Sequence, residues 1–345
     1  MAKVSVIGAG SWGCALAHLL ENNAQEVTVW SCIEDEIKML KEFHEQKDKL
    51  PGVKLSDKTA FTGDLESAIK DKDVLILAVP SPFTRSTSKS MASFVKEGQI
   101  IVNVAKGIEE ATLMTLSQVI EEEIPQAEVC VLSGPSHAEE VGKLLPTTIV
   151  VGTKKKETAV YLQNIFMSDV FRVYISSDMI GIELGAALKN VVALAAGIAD
   201  GLGYGDNTKA ALITRGMAEI TRLGIVMGGR IETFYGLSGI GDLIVTCASM
   251  HSRNRRAGIL IGKGASYEEA MKEVNQVVEG VYAAKAGLKL AQKHNVTMPI
   301  IEQVNRVLFE GVSPREAVGE LMVREKKVEN LDIRTLYQNS ANVAW

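Results

Sequence analysis

Gly8-Ala9-Gly10-Ser11-Trp12-Gly13 has the spacing GxGxxG, directly after the apolar run 4–7 and at the start of an amphipathic stretch over 12–22. That strand–turn–helix setting is what a dinucleotide pyrophosphate needs. Gly8 permits the tight turn, Gly10 lets the backbone approach the phosphates, and Gly13 lets the helix pack on the strand. The helix N-terminus adds amide donors and positive potential. A merely structural tight turn is the competing reading, and the setting argues against it.

A second chemical feature lies in 185–200, GAALKNVVALAAGIAD, which is apolar or small on every side except at Lys189 and Asn190. Such a helix is buried on most faces. Steps of four from Lys189 reach Gly181, Gly185, Ala193 and Gly197, a row of small residues expected to leave space for a bound molecule. A lysine there is costly unless paired, and desolvation lowers its pKa towards a range useful for proton transfer. A lysine snorkelling at a domain seam is the bland alternative.

Further candidates follow the predicted strands. Lys106 stands beside Gly107 at a strand end, where a solvated surface lysine is the competing reading. Ser133-Gly134-Pro135-Ser136 follows another strand. Gly236–Thr246, GLSGIGDLIVT, reads as a glycine-rich turn carrying Asp242 before an apolar run. Ser252-Arg253-Asn254-Arg255-Arg256 groups donors suited to a phosphate or carboxylate, although three arginines could equally form an exposed helical face. Glu279 is a lone acid in an apolar setting.

The elements that must position these residues fall into two halves. Continuous Val/Ile/Leu runs predict strands over 4–7, 27–30, 74–79, 100–104, 129–132 and 148–151, with helices between several of them, among them 12–22 and 113–123. This alternation is the pattern of a parallel, doubly wound α/β sheet, whose ligands lie beyond the carboxyl ends of the strands. Beyond 176–178 no strand is predicted. Helices are expected over 179–201, 208–227, 253–263, 266–274, 281–294, 299–309 and 313–322, so the second domain is all-helical.

Composition bounds the possibilities. At ~150 residues per domain, 345 residues suggest two domains. A hydrophobic fraction of 46% with 23% charged residues is that of a globular chain and excludes disorder. With 37 basic against 42 acidic residues the net charge is −5, which gives no footprint for nucleic acid. No run approaches the ~18 apolar residues of a membrane span. Only four residues separate Lys3 from Gly8, so no secretory leader is expected. The four cysteines, Cys14, Cys32, Cys130 and Cys247, form no CxxC pair and no metal-ligand spacing with histidine. They read as buried free thiols of a cytoplasmic protein without a metal.

The end of the second strand distinguishes the nicotinamide cofactors, since an acid there binds a ribose 2′-hydroxyl and a basic residue a 2′-phosphate. Ser31-Cys32-Ile33 contains no basic residue, and Glu34 and Asp35 come slightly late, which favours NAD over NADP.

In order between residues 8 and 281, the segments GAGSWGCAL, AVPS, AKGIE, SGPSHAEEV, ELGAALKNVVALAAGIADGLGYGDNTKAALITRG, GLSGIGDL, SRNRRAG and QVVEGV closely resemble the NAD(P)-dependent glycerol-3-phosphate dehydrogenases of the bacterial type. The match spans nearly the whole chain, is most specific over 183–216, and fades beyond about residue 325. With the change of pattern at 176–178 and the polar stretch after 328, the chain divides into a Rossmann-type NAD-binding domain over 1-178, a helical substrate domain over 179-328 and a polar tail over 329-345. The resemblance implies a homodimer that interconverts dihydroxyacetone phosphate and sn-glycerol 3-phosphate for phospholipid synthesis. By resemblance Lys189 is the proton acceptor, and Lys106 meets both substrate and cofactor. Gly134, Ser136, Asp242, Ser252, Arg253 and Asn254 line the substrate site. Ser11, Trp12, Ala138, Arg253, Val277 and Glu279 match cofactor contacts. Many members carry His or Arg where this chain has Cys32 and Ile33, which agrees with NAD while leaving NADP open. A 3-hydroxyacid or sugar-acid dehydrogenase of the same plan would place a carboxylate where the phosphate is expected. A non-catalytic nicotinamide sensor is the other alternative, and Lys106, Lys189 and Asp242 speak against it.

Overall fold

The computed structural model describes residues 1–326 and Glu329. By their internal contacts the residues divide into two units, Met1–Lys106 with Met114–Met179, and Gly107–Leu113 with the residues from Ile180 onward. The expected division after residue 178 is therefore interrupted by 107–113. Ile108 explains the exception, since it is buried in the helical core, and Glu110 pairs with Lys289 at 3.0 Å. The expected tail over 329-345 lies, apart from Glu329, outside the described residues.

The first unit is an eight-stranded sheet: β1 (Lys3–Ile7), β2 (Glu26–Trp30), β3 (Ala60–Thr62), β4 (Val74–Leu77), β5 (Ile100–Asn103), β6 (Glu128–Ser133), β7 (Thr147–Gly152) and β8 (Phe171–Ser176). Their order is β3-β2-β1-β4-β5-β6-β7-β8. Every pair is parallel except β6 with β7. The order reverses at β1, so the crevice beyond β1 and β4 is the ligand-binding position of such a sheet. Two strands depart from the sequence expectation. β3 is a three-residue, half-exposed edge, and β8 alternates buried Phe171 and Val173 with exposed Arg172 and Tyr174. Both lack the continuous apolar run that marks a strand covered on two faces. The helix expected from residue 113 begins instead at Leu116. Leu113 has φ 63°, and Thr115 forms a capping box with Gln118.

The second unit is helical around Met179–Gly201, which has the length and hydropathy of a membrane span but is almost wholly buried within its unit. Its row of small residues is filled by the chain itself, contrary to the expected vacant space. A Cβ on Gly185 would lie 2.9 Å from the Ser238 carbonyl oxygen, and one on Gly197 would lie 2.2 Å from that of Arg255. The helix Arg253–Gly262 returns the relation, since a Cβ on Gly258 would lie 2.2 Å from the Leu194 oxygen. These helices therefore touch backbone to backbone, which only glycine permits. The segment 236–246 is also not a simple turn. Leu237–Gly241 is a π-helical turn that runs into the helix Asp242–Ala248. Such turns recur at functional sites.

Of the four free cysteines, Cys14, Cys130 and Cys247 are buried and burial pushes each thiol up to about 12; Cys32 is exposed, against the expectation that all are buried. Its place just beyond β2, at the mouth of a turn, accounts for the difference.

Two outcomes follow from this packing. Gly258→Ala should lower stability by about 1–3 kcal/mol through overpacking, although alanine is the better helix former by ~1 kcal/mol; the midpoint of urea unfolding reads the sign. Glu219, in the helix Asp206–Val226, is buried and accepts from the Ile300 and Ile301 amides. Burial pushes its carboxyl from 4.5 up to about 7. Its folded form holds the proton more tightly, so its contribution is present below pH 4.5 and lost as pH rises through about 7. Thermal unfolding of Glu219→Gln from pH 5 to pH 8 should lack that decline.

Candidate active site

The glycine-rich turn joins β1 to the helix Ser11–Asn22. Gly8 has φ 124°, and a Cβ on it would lie 2.8 Å from the Ala78 oxygen beyond β4. A Cβ on Gly13 would lie 2.0 Å from the Gly8 oxygen, so the close packing of helix on strand is real. Around Gly10 a Cβ would meet nothing within 4 Å among the described residues, which leaves the helix N-terminus approachable. This cradle fits a pyrophosphate. Ser11 and Trp12 are half-buried beside it, and Ala138 begins a short helix, Ala138–Val141, that packs on the Ser11–Asn22 helix.

Sequence reasoning overlooked what braces this cradle. Gln46, 2% exposed, donates to the Ala9 carbonyl at 3.1 Å from an irregular segment. Beyond β2, the Ser31 hydroxyl donates to Glu36 at 2.5 Å and accepts from the Ile33 amide at 3.1 Å, while Lys49 pairs with Glu36. The acid built into this turn is thus Glu36. Glu34 and Asp35 are exposed and meet Lys38.

Three candidate residues converge beyond β5 and β6. The Gly134 carbonyl accepts from Lys106 Nζ at 3.1 Å and from the Ser136 hydroxyl at 2.9 Å. Gly134 has φ 148°, and a Cβ there would lie 3.1 Å from Ile149 Cα on β7. Lys106 is accordingly held, half-buried, by a carbonyl that the glycine orients.

In the helical unit Lys189 is 4% exposed and Asp242 is 1% exposed. Lys189 Nζ donates to Asp242 Oδ1 at 2.8 Å and to Thr246 Oγ1 at 2.5 Å. Thr246 in turn donates to the Asp242 carbonyl at 2.6 Å, which turns its lone pairs towards the ammonium. Asp242 and Thr246 are one helical turn apart, so a single short helix presents both. Thr246 escaped sequence reasoning because its stretch read as a turn followed by an apolar run. Read as a helix, its i,i+4 spacing from Asp242 is the signal.

The Ser252–Asn254 group is brought to the same unit, in roles that differ among its members. Ser252 caps the Arg253–Gly262 helix, its oxygen accepting from the Arg255 amide at 3.2 Å. Arg253 is half-buried in the first turn. Asn254, 7% exposed, donates to Asn190 Oδ1 at 2.9 Å and accepts from the Gly280 amide at 2.8 Å. It therefore ties the residue after Lys189 to the helix Glu279–Lys293, which Glu279 opens; Val277 is half-buried just before it. Arg255 is bound to Asp200 at 2.8 Å and to the Ala248 carbonyl, so it is structural.

Comparison with known proteins completes the picture. Residues 3–159 match the model of the NAD-dependent glycerol-3-phosphate dehydrogenase N-terminus, and 178–319 match that of its C-terminus. A glycerol-3-phosphate dehydrogenase (NAD(P)+) of Agathobacter rectalis is 65% identical over 330 residues, covering 96% of this chain and 98% of that protein. One from Fusobacterium nucleatum is 61% identical over 331 residues, covering 95% and 99%. A crystal structure of glycerol-3-phosphate dehydrogenase from Coxiella burnetii superposes with a TM-score of 0.91 at 36% identity, covering 94% of this chain and 99% of that one. With both domain models matched, close relatives along almost its full length and the same fold, the chain belongs to the NAD-dependent glycerol-3-phosphate dehydrogenase family.

Proposed function

We propose that the protein catalyses reversible hydride transfer between NAD(P)H and dihydroxyacetone phosphate, producing sn-glycerol 3-phosphate. The observation that carries the mechanism is the buried lysine held between Asp242 and Thr246. Bound nicotinamide supplies the hydride to substrate C2, or accepts it in the reverse direction. Lys189 handles the accompanying proton. Its ammonium protonates the C2 oxygen during reduction, and its amine takes the hydroxyl proton during oxidation.

Asp242 and Thr246 fix Nζ, so the proton-transfer group needs little reorganisation as charge develops. Lys106, anchored on the Gly134 carbonyl, offers positive charge to substrate and cofactor, and Ser136 steadies the same carbonyl. Arg253 and the amides at its helix start grip the phosphate, so remote binding energy orients the reacting carbon. Asn254 acts by positioning, since its amide group is engaged by Asn190 and Gly280. On the cofactor side, Gly8, Gly10, Ser11, Trp12 and Gly13 form the pyrophosphate cradle, with Ala138, Val277 and Glu279 as further contacts. The Ser31–Glu36 turn supports a preference for NADH. Further parts of the reading are a homodimer in the cytoplasm and a product that serves phospholipid synthesis.

Dihydroxyacetone phosphate offered with NADH and with NADPH should support turnover, faster with NADH. Lys189→Ala should lower kcat at least ~100-fold while leaving the NADH dissociation constant within about twofold of wild type. A variant that is folded by circular dichroism and retains a larger rate would refute the role. Thr246→Val, which keeps the shape but not the hydroxyl, should lower kcat about tenfold and shift the pH profile of kcat, with the substrate KM little changed. An unmoved pH profile would reduce Thr246 to packing.

A further inference from the structure

A cavity of about 520 Å³ opens in the helical unit. It lies between Met179–Gly201, Asp206–Val226, Pro299–Phe309 and Pro314–Met322. Its residues are separate from Lys189, Asp242 and Arg253. Small side chains, Ala195, Ala199 and Ala211, make the room, and Leu212, Val304 and Leu321 make the wall apolar. The size is that of a small-molecule site.

The polar groups of this cavity are charged, and positive charge prevails. Arg215, Arg222 and Arg324 line it against Glu219 and Glu329. Glu219 is already engaged by the Ile300 and Ile301 amides, and Arg222 donates to the Thr297 carbonyl at 2.8 Å. Among the described residues no carboxylate forms an ion pair with Arg215 or Arg324, although the charge of Arg324 acts on Glu219. Burial above all pushes the Arg222 guanidinium below its ordinary pKa; Glu219 opposes that shift, and the charges of Arg215 and Arg324 add to it. Guanidinium groups in a partly apolar recess recognise carboxylates, often bidentately.

We propose that this cavity binds a small amphipathic anion, an apolar chain or ring ending in a carboxylate, with the apolar body against the alanine-lined wall and the carboxylate among Arg215, Arg222 and Arg324. The charge excess selects the anion, and the alanine-lined volume selects the apolar body. Neither a free inorganic anion nor an uncharged hydrocarbon uses both.

Calorimetric titration of the full chain with sodium decanoate, below its micelle concentration, tests this. One saturable site is expected. Decanol, which lacks the charge, and butyrate, which lacks the body, should each bind at least tenfold more weakly. The double variant Arg215→Ala, Arg324→Ala should lose at least tenfold in decanoate affinity with unchanged circular dichroism, because both side chains are exposed. Ala211→Phe, which fills the cavity, should lose as much. Absence of saturable binding, equal affinity for decanol, or undiminished binding by the double variant overturns the proposal. So does a change in molar mass of Ala211→Phe by light scattering, since a second copy of the chain would then be the occupant of this face.

Discussion

The helical unit depends on the burial of an ammonium group. Lys189 is almost wholly removed from solvent, and an isolated charge so placed would cost many kcal/mol. Asp242 offsets that cost with a contact of 2.8 Å, and Thr246 satisfies a further hydrogen on the ammonium at 2.5 Å. A buried ion pair is a poor source of net stability compared with well-packed hydrophobic residues. Lys189 is the one cation of the helix Met179–Gly201, whose other residues are mostly alanine, glycine, leucine, isoleucine and valine. The pair requires two helices to approach closely and in a fixed register, and much of the surrounding composition serves that requirement.

Glycine meets it. Gly185 admits the backbone at Ser238, and Gly197 and Gly258 admit each other's helices to backbone contact. Each glycine costs a helix about 1 kcal/mol relative to alanine, and the approach it permits seats Asp242 beside Lys189. The π-helical turn before Asp242 belongs to the same arrangement, because its Ser238 and Gly239 lie against Gly185 and it runs into the helix that carries both partners. The Asn190–Asn254–Gly280 linkage then locks a third helix to the residue next to Lys189.

In the sheet unit the corresponding constraint is close passage of the backbone. Gly8, Gly13 and Gly134 each stand where a Cβ would collide with a neighbouring strand or turn. Around them, polar side chains hold carbonyls in place: Gln46 on Ala9, and Lys106 and Ser136 on Gly134. The cradle is thus shaped by glycines near in sequence and steadied by residues far from it.

Local pattern made much of this legible. The β1 turn, the strands covered on both faces and the long helices of the second half follow from apolar runs and helix-start residues. Lys189 announced itself as the one cation in an apolar helix, and Asp242 as an acid in a glycine-rich stretch. What the chain pattern could not tell was who meets whom. Lys189 and Asp242 are 53 positions apart, and Asn254 and Gly280 are 26 apart. The edge strands β3 and β8 lacked the signature of strands buried on both faces, because they are not so buried. The row of glycines beside Lys189 was equally consistent with a ligand or with another helix. Periodicity reports which residues share a face; only the packed helices decide what that face touches, because contacts between distant segments depend on the summed geometry of every element between them.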